Sequence, residues 1–184
     1  MPRVFVVSLG CAKNQVDTEA MLGYLLPRGC TLTKSPRTAH LLLVNTCAFI
    51  RAAETESWDH IRALAAQKRP GQRLIVCGCL PARYTAAALQ LEGVDAWLGV
   101  RAAADVARHV QRWFVLPPAP EPTPDRIRIT PRHYAYLRIA DGCHHRCAYC
   151  TIPRIRGAFA SRPLRGLLAE AQRLADSGVR ELNL

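Results

Sequence analysis

No stretch of the sequence approaches the eighteen or so uncharged apolar residues that a helical membrane span needs. The opening residues MPRVFVVSLGC run straight into strand-like sequence without the cleavage pattern of a secretory leader. Both absences point to a cytoplasmic protein with no membrane partner. Lysine is also scarce, at 3 residues against 22 arginines, so almost all of the positive charge is guanidinium. Neither charge sign is missing, however, and 49% of the 184 residues are hydrophobic, which excludes an intrinsically disordered chain.

Cysteine is plentiful, with eight residues at positions 11, 30, 47, 77, 79, 143, 147 and 150. A reducing cytosol disfavours a disulfide framework and shifts the expectation to metal ligation or catalysis. The net charge of +11 is uneven. Residues 1–125 hold 14 basic against 10 acidic side chains, whereas residues 126–184 hold 11 against 4. Two readings of this surplus stand side by side. It is either a surface that attracts polyanions such as RNA and ribosomes, or the trace of an arginine-rich coding bias.

Residues 2–116 alternate between short apolar runs and helical patterns. RVFVVSLG, HLLLVNTC, RLIVCGC and DAWLGV read as strands. Between and after them, residues 17–26, 54–69, 81–93 and 101–114 carry helical spacing, with CAKN as a loop. Strands apolar on both faces and separated by helices predict an α/β fold, an open parallel sheet flanked by helices. Ligands bind such sheets at the carboxyl ends of the strands. Cys11, Cys47 and Cys79 fall at that end of three different predicted strands. The proline-rich segment 117–125 reads as a linker. Beyond it, RIRIT and YAYLRIA read as strands, Ser161–Ser177 as a helix capped by Ser161, and VRELNL as a further strand. These elements cannot close a barrel, so the second domain, 126–184, reads as cut off.

YAYLRIA delivers the chain into DGCHHRCAYCTIPRIRG, where Cys143, Cys147 and Cys150 have the spacing C-x3-C-x2-C. Three thiolates in one loop suit zinc or an iron-sulfur cluster. Zinc would need a fourth ligand, His144 or His145. A 4Fe-4S cluster on three cysteines keeps one iron open.

That spacing, with Tyr149 just before the last cysteine, resembles the signature of the radical S-adenosylmethionine enzymes. SLGCAKNQVDTE, VNTCAF and VCGCLPARY are similar to the three cysteine segments that begin the methylthiotransferases of that superfamily. Within the family, GCAKNQVDTE is more similar to the branch acting on an aspartate of a small-subunit ribosomal protein than to the branch acting on a tRNA adenosine. Ala12 and Gln15 depart from the commonest residues of the ribosomal branch.

The resemblance implies two 4Fe-4S clusters, an auxiliary one on Cys11, Cys47 and Cys79 and a second on Cys143, Cys147 and Cys150. The open iron of the second would bind S-adenosylmethionine, and reductive cleavage there would yield the radical that activates the β-carbon of the aspartate for methylthiolation. An electron donor is implied as a further partner. Residues 126–184 would then be the start of a radical S-adenosylmethionine partial (β/α) barrel, and the fragment is expected to be inactive alone. The alternative from a different class is a non-enzymatic zinc or iron-sulfur binding protein. Cys30 and Cys77 fall off the family's ligand positions and read as packing residues. His144, His145 and Arg146 are open between tuning a cluster and simple solvation, and Arg154 and Arg156 between contacting substrate and surrounding the site with charge.

Overall fold

The computed structural model describes residues 1–118 and 126–184. Most of the expected linker, 119–125, lies outside the described residues. The chain forms two compact units, Met1–Ile127 and Arg128–Leu184.

The first unit is built on five parallel strands, β1 (Arg3–Ser8), β2 (Thr31–Leu32), β3 (Leu41–Thr46), β4 (Arg73–Gly78) and β5 (Ala96–Trp97). Their order is β2-β1-β3-β4-β5. The central strand β3 is buried at all six positions, as the continuous apolar run LLLV requires of a strand covered on both faces. Alternate residues point to opposite faces. Val4, Leu41, Leu43, Ile75 and Cys77 meet Met21 and Leu25 of α1 (Ala12–Leu25) and Val106 and Val110 of α4 (Ala103–Trp113) in one apolar cluster. Leu42, Val44, Leu74 and Val76 point the other way and are also fully buried, on the side where α2 (Arg51–Gln67) packs against β3 and β4. Cys30 and Cys77 are both members of the first cluster.

Several elements differ from the sequence expectation. CAKN is not a loop, because Cys11 is the extended N-cap residue of α1 and its carbonyl accepts from Gln15. The expected helix over 81–93 is only a short α3 (Cys79–Arg83) followed by a 3-10 turn at Ala86–Leu89. Arg83 and Tyr84 are drawn to Glu54 of α2 at 3.2 and 2.5 Å, and Tyr84 turns to extended backbone. The two-residue edge strand β2 has too little pattern to be read from sequence.

In the second unit, β6 (Tyr134–Tyr136) pairs in parallel with β9 (Glu181–Asn183), and β7 (Ala140–Asp141) pairs antiparallel with β8 (Ala160–Ser161). Helix α6 (Leu164–Asp176) lies between β8 and β9 in the chain. A parallel pair needs such a crossover. Ala135, Leu137, Leu174 and Val179 form its small core. YAYLRIA is thus two strands, because its ends serve different partners. RIRIT is not a strand. In the first unit Ile127 N–H donates to the Glu19 carbonyl and Arg126 pairs with the Glu19 carboxylate at 2.7 Å, so these residues are held on α1. Ser161 does not cap α6, since it is committed to β8 opposite Ala140.

Candidate metal centre

The register of the sheet decides what the first three cysteines share. Thr46 lies beside Gly78, so Cys47 and Cys79 leave adjacent strands at the same level. Ser8 lies beside Asn45, and Leu9 N–H donates to the Asn45 carbonyl, which sets Gly10 level with Cys47. Cys11 follows one residue later. Cys47 and Cys79 are 7% and 6% exposed, whereas Cys11 is open to solvent. The trio therefore lies at the carboxyl ends of three adjacent strands, with two buried cysteines and one exposed one.

Two glycines make those strand ends tight. Gly10 has φ +90°, and a Cβ there would stand 2.6 Å from Cys47 Cβ and 2.9 Å from its Sγ. Gly78 has φ +98°, and its Cβ would run into Asn45 Oδ1 and lie 2.6 Å from the Thr46 carbonyl. Only glycine meets both demands. The turn at Gly78 also ends the strand alternation, so Cys77 stays in the core while Cys79 opens α3. Burial, followed by the charge of Asp17 and the neighbouring Cys79, pushes the Cys77 thiol well above its usual range. That residue behaves as an inert apolar side chain.

Buried polar residues tie the cysteine turns together. Asn14 on α1 is fully buried, and its Nδ2 donates to the carbonyls of Leu9 and Thr46 at 2.9 and 2.7 Å. Its Oδ1 faces Cys79 Sγ at 3.5 Å. Asn45 Nδ2 donates to the Asn14 carbonyl and to Thr18 Oγ1. Thr46 Oγ1 donates to the Cys77 carbonyl and accepts from Leu80 N–H. Ser57 Oγ accepts from Cys47 N–H at 3.0 Å and contacts the Cys47 and Ala53 carbonyls at 2.7 and 2.8 Å. Sequence reasoning assigned no role to these residues. The available signal was a run of Asn and Thr at the end of an apolar strand, where buried amides and hydroxyls require partners.

The second trio lies in the loop between β7 and α5 (Ile152–Arg156). Cys143 N–H donates to the Gly157 carbonyl, Cys150 N–H donates to the Cys147 carbonyl, and His145 N–H approaches Cys143 Sγ at 3.4 Å. Cys147 is exposed, Cys143 and Cys150 partly so, and Tyr149 is 88% exposed. The loop's base is firmer. Asp141 and Arg156 are buried and paired at 3.4 Å, Arg138 stands 3.9 Å from the same carboxylate, and Gly142 N–H donates to Asp141 Oδ1. Gly142 has φ +76°, and a side chain there would collide with the Ala158 carbonyl. Arg156 is thus buried in an ion pair beneath the loop, which is neither of the two roles the sequence suggested for it. His144 stacks edge-on against Phe159.

Among the described residues, no three His, Cys, Asp or Glu side chains converge at single-ion distances. The donor chemistry is nevertheless uniform. Each trio offers sulfur only, a soft donor set that suits iron-sulfur clusters and zinc alike. Within each trio the fold gathers the cysteines at the carboxyl ends of adjacent strands or in one loop.

The sequence profile of the uncharacterized protein family UPF0004 matches residues 3–99, which include Cys11, Cys47 and Cys79 and stop short of Cys143. Similar curated proteins share the name ribosomal protein uS12 methylthiotransferase RimO. That of Syntrophus aciditrophicus is 44% identical over 98% of this chain and 44% of its own length. Those of Anaeromyxobacter sp. (strain K) and Chlorobaculum parvum are 45% and 39% identical, over 99% and 100% of this chain. This chain spans about two fifths of the length of the curated relatives it matches. With three cysteines at the carboxyl ends of adjacent strands in its parallel sheet and this likeness along nearly its whole length, the chain belongs to family UPF0004, the N-terminal domain of the methylthiotransferases.

Proposed function

We propose that this chain is the front part of a methylthiotransferase that adds a methylthio group to the β-carbon of an aspartate in a small-subunit ribosomal protein. Cys11, Cys47 and Cys79 would hold an auxiliary 4Fe-4S cluster, and Cys143, Cys147 and Cys150 a second one with an iron left for S-adenosylmethionine. When bound, these cofactors would supply the methyl group and the one-electron chemistry that a C–H bond without acidity demands and acid-base side chains cannot provide. The chain's own residues hold the ligands. Asn14, Thr46 and Ser57 orient the first trio, while Asp141 and Arg156 support the loop of the second. The observation that carries this reading is the arrival of Cys11, Cys47 and Cys79 at the carboxyl ends of three adjacent parallel strands in a chain so similar to proteins named for that reaction. Partners are the ribosomal protein and an electron donor.

Anaerobic reconstitution tests the reading directly. About eight irons and eight sulfides per chain are expected, falling by about half when Cys143, Cys147 and Cys150 become alanine. Stoichiometric zinc without iron refutes it. Methylthiolation of the isolated ribosomal protein, and not of tRNA, by the full-length protein tests the substrate.

A further inference from the structure

Asn14 touches all three cysteine turns of the first unit. Its amide donates to the Leu9 carbonyl, two residues before Cys11, and to the Thr46 carbonyl, one residue before Cys47. Its oxygen faces the sulfur of Cys79 directly. Its own carbonyl accepts from both Asn45 Nδ2 and Thr18 Oγ1, which fixes the backbone from which the amide projects. The side chain is 0% exposed, so water cannot replace these bonds when they are lost.

Shape matters as much as burial. A planar amide offers two donors on one atom and an acceptor on the other. Leu9 and Thr46 use the donor end, and Cys79 meets the acceptor end. An aspartate of the same size has no two donors for two carbonyls. Serine and alanine cannot reach. Asn14 is also set one helical turn behind Cys11 on α1, whose first turn is held by the bond from Gln15 N–H to the Cys11 carbonyl.

We infer that Asn14 is a positioning residue that sets the mutual spacing of Cys11, Cys47 and Cys79, by bonding the backbone of two cysteine turns and the sulfur of the third. This rests on the proposal that the trio holds an iron-sulfur cluster. The core does not depend on the amide in the same way. Cys30 and Cys77 lie among apolar side chains, 3% and 0% exposed, and serve as internal reporters of general loosening.

The test has two arms. In the iron-free 184-residue protein, alkylation by iodoacetamide is followed cysteine by cysteine by mass spectrometry for the parent and for Asn14→Ala and Asn14→Asp. The expected result is labelling of Cys47 and Cys79 about tenfold faster, with Cys30 and Cys77 unchanged. Equal acceleration at all four sites means that Asn14 supports only the fold, and no acceleration means that it supports neither; both overturn the inference. The second arm places the same substitutions on a chain in which Cys143, Cys147 and Cys150 are alanine. After anaerobic reconstitution, the variants should lose iron to a chelator about tenfold faster and give a shifted electron paramagnetic resonance spectrum when reduced. Unchanged release and spectrum overturn the inference while leaving the cluster reading intact. Absence of iron from the parent of this arm overturns the cluster reading, and the inference about cluster spacing with it.

Discussion

Replacing Gly78 with alanine separates two costs that the structure assigns to the turn before Cys79. Gly78 has φ +98° and ψ −148°, a region that side chains with a Cβ almost never occupy. That strain costs about 1–3 kcal/mol. The added methyl would also meet Asn45 Oδ1 and lie 2.6 Å from the Thr46 carbonyl and 2.8 Å from its N–H, all firmly held parts of β3. Overpacking of this kind adds about 1–3 kcal/mol. The expected total is about 2–6 kcal/mol, a large share of the roughly 5–15 kcal/mol that stabilises a domain. Gly71 is the matched control, with φ +84° and nothing within 4 Å of its Cβ position, so Gly71→Ala carries strain alone, about 1–2 kcal/mol. All three tryptophans, Trp58, Trp97 and Trp113, belong to the first unit, and their fluorescence follows its unfolding. Urea titrations should give Gly78→Ala the lower midpoint by a clear margin. If Gly78→Ala costs no more than Gly71→Ala, the backbone contacts described for the turn are not what fixes Cys79.

Other consequences follow from charge and hydrogen bonding. Ser57→Ala strands the buried N–H of Cys47 and should lower the first unit's stability by about 1–3 kcal/mol in the same titration. Arg156→Met removes the buried cationic partner of Asp141 at 3.4 Å and should cost the second unit about 3–5 kcal/mol, read by hydrogen exchange at Gly142–Cys150. Burial opposes ionisation of Asp95, but bonds from Lys68 at 2.6 Å, Leu74 N–H at 2.7 Å and Arg73 at 2.9 Å outweigh it and hold its pKa below the ordinary 3.8. A carboxylate depressed on folding stabilises above its unfolded pKa and loses that contribution as pH falls through the folded one. First-unit stability should therefore decline from near pH 4 downward. Asp95→Asn should be less stable at pH 7 and lose that part of the acid dependence, as measured by urea midpoints against pH.

Legibility along the chain followed the strength of the apolar pattern. LLLV and LIV announced β3 and β4 because a strand covered on both faces must be apolar throughout. The motif around Cys143 was visible because its three sulfurs share one short loop. The short α3 was invisible, since the break at Tyr84 comes from Glu54, 30 residues away. The same holds for RIRIT, whose first two residues are claimed by Glu19 across more than a hundred positions. Arg156 looked like a surface charge beside a metal loop, and only the fold provides it with a buried carboxylate.

The sequence by itself determined the α/β alternation, the two cysteine trios and the strand ends to which Cys11, Cys47 and Cys79 belong, because period, spacing and turn residues are local properties. Only the tertiary structure decided that those three strands are neighbours, level with one another and joined through Asn14. Strand order and register arise from packing and hydrogen bonds between residues 30 to 65 positions apart, and no local pattern encodes them.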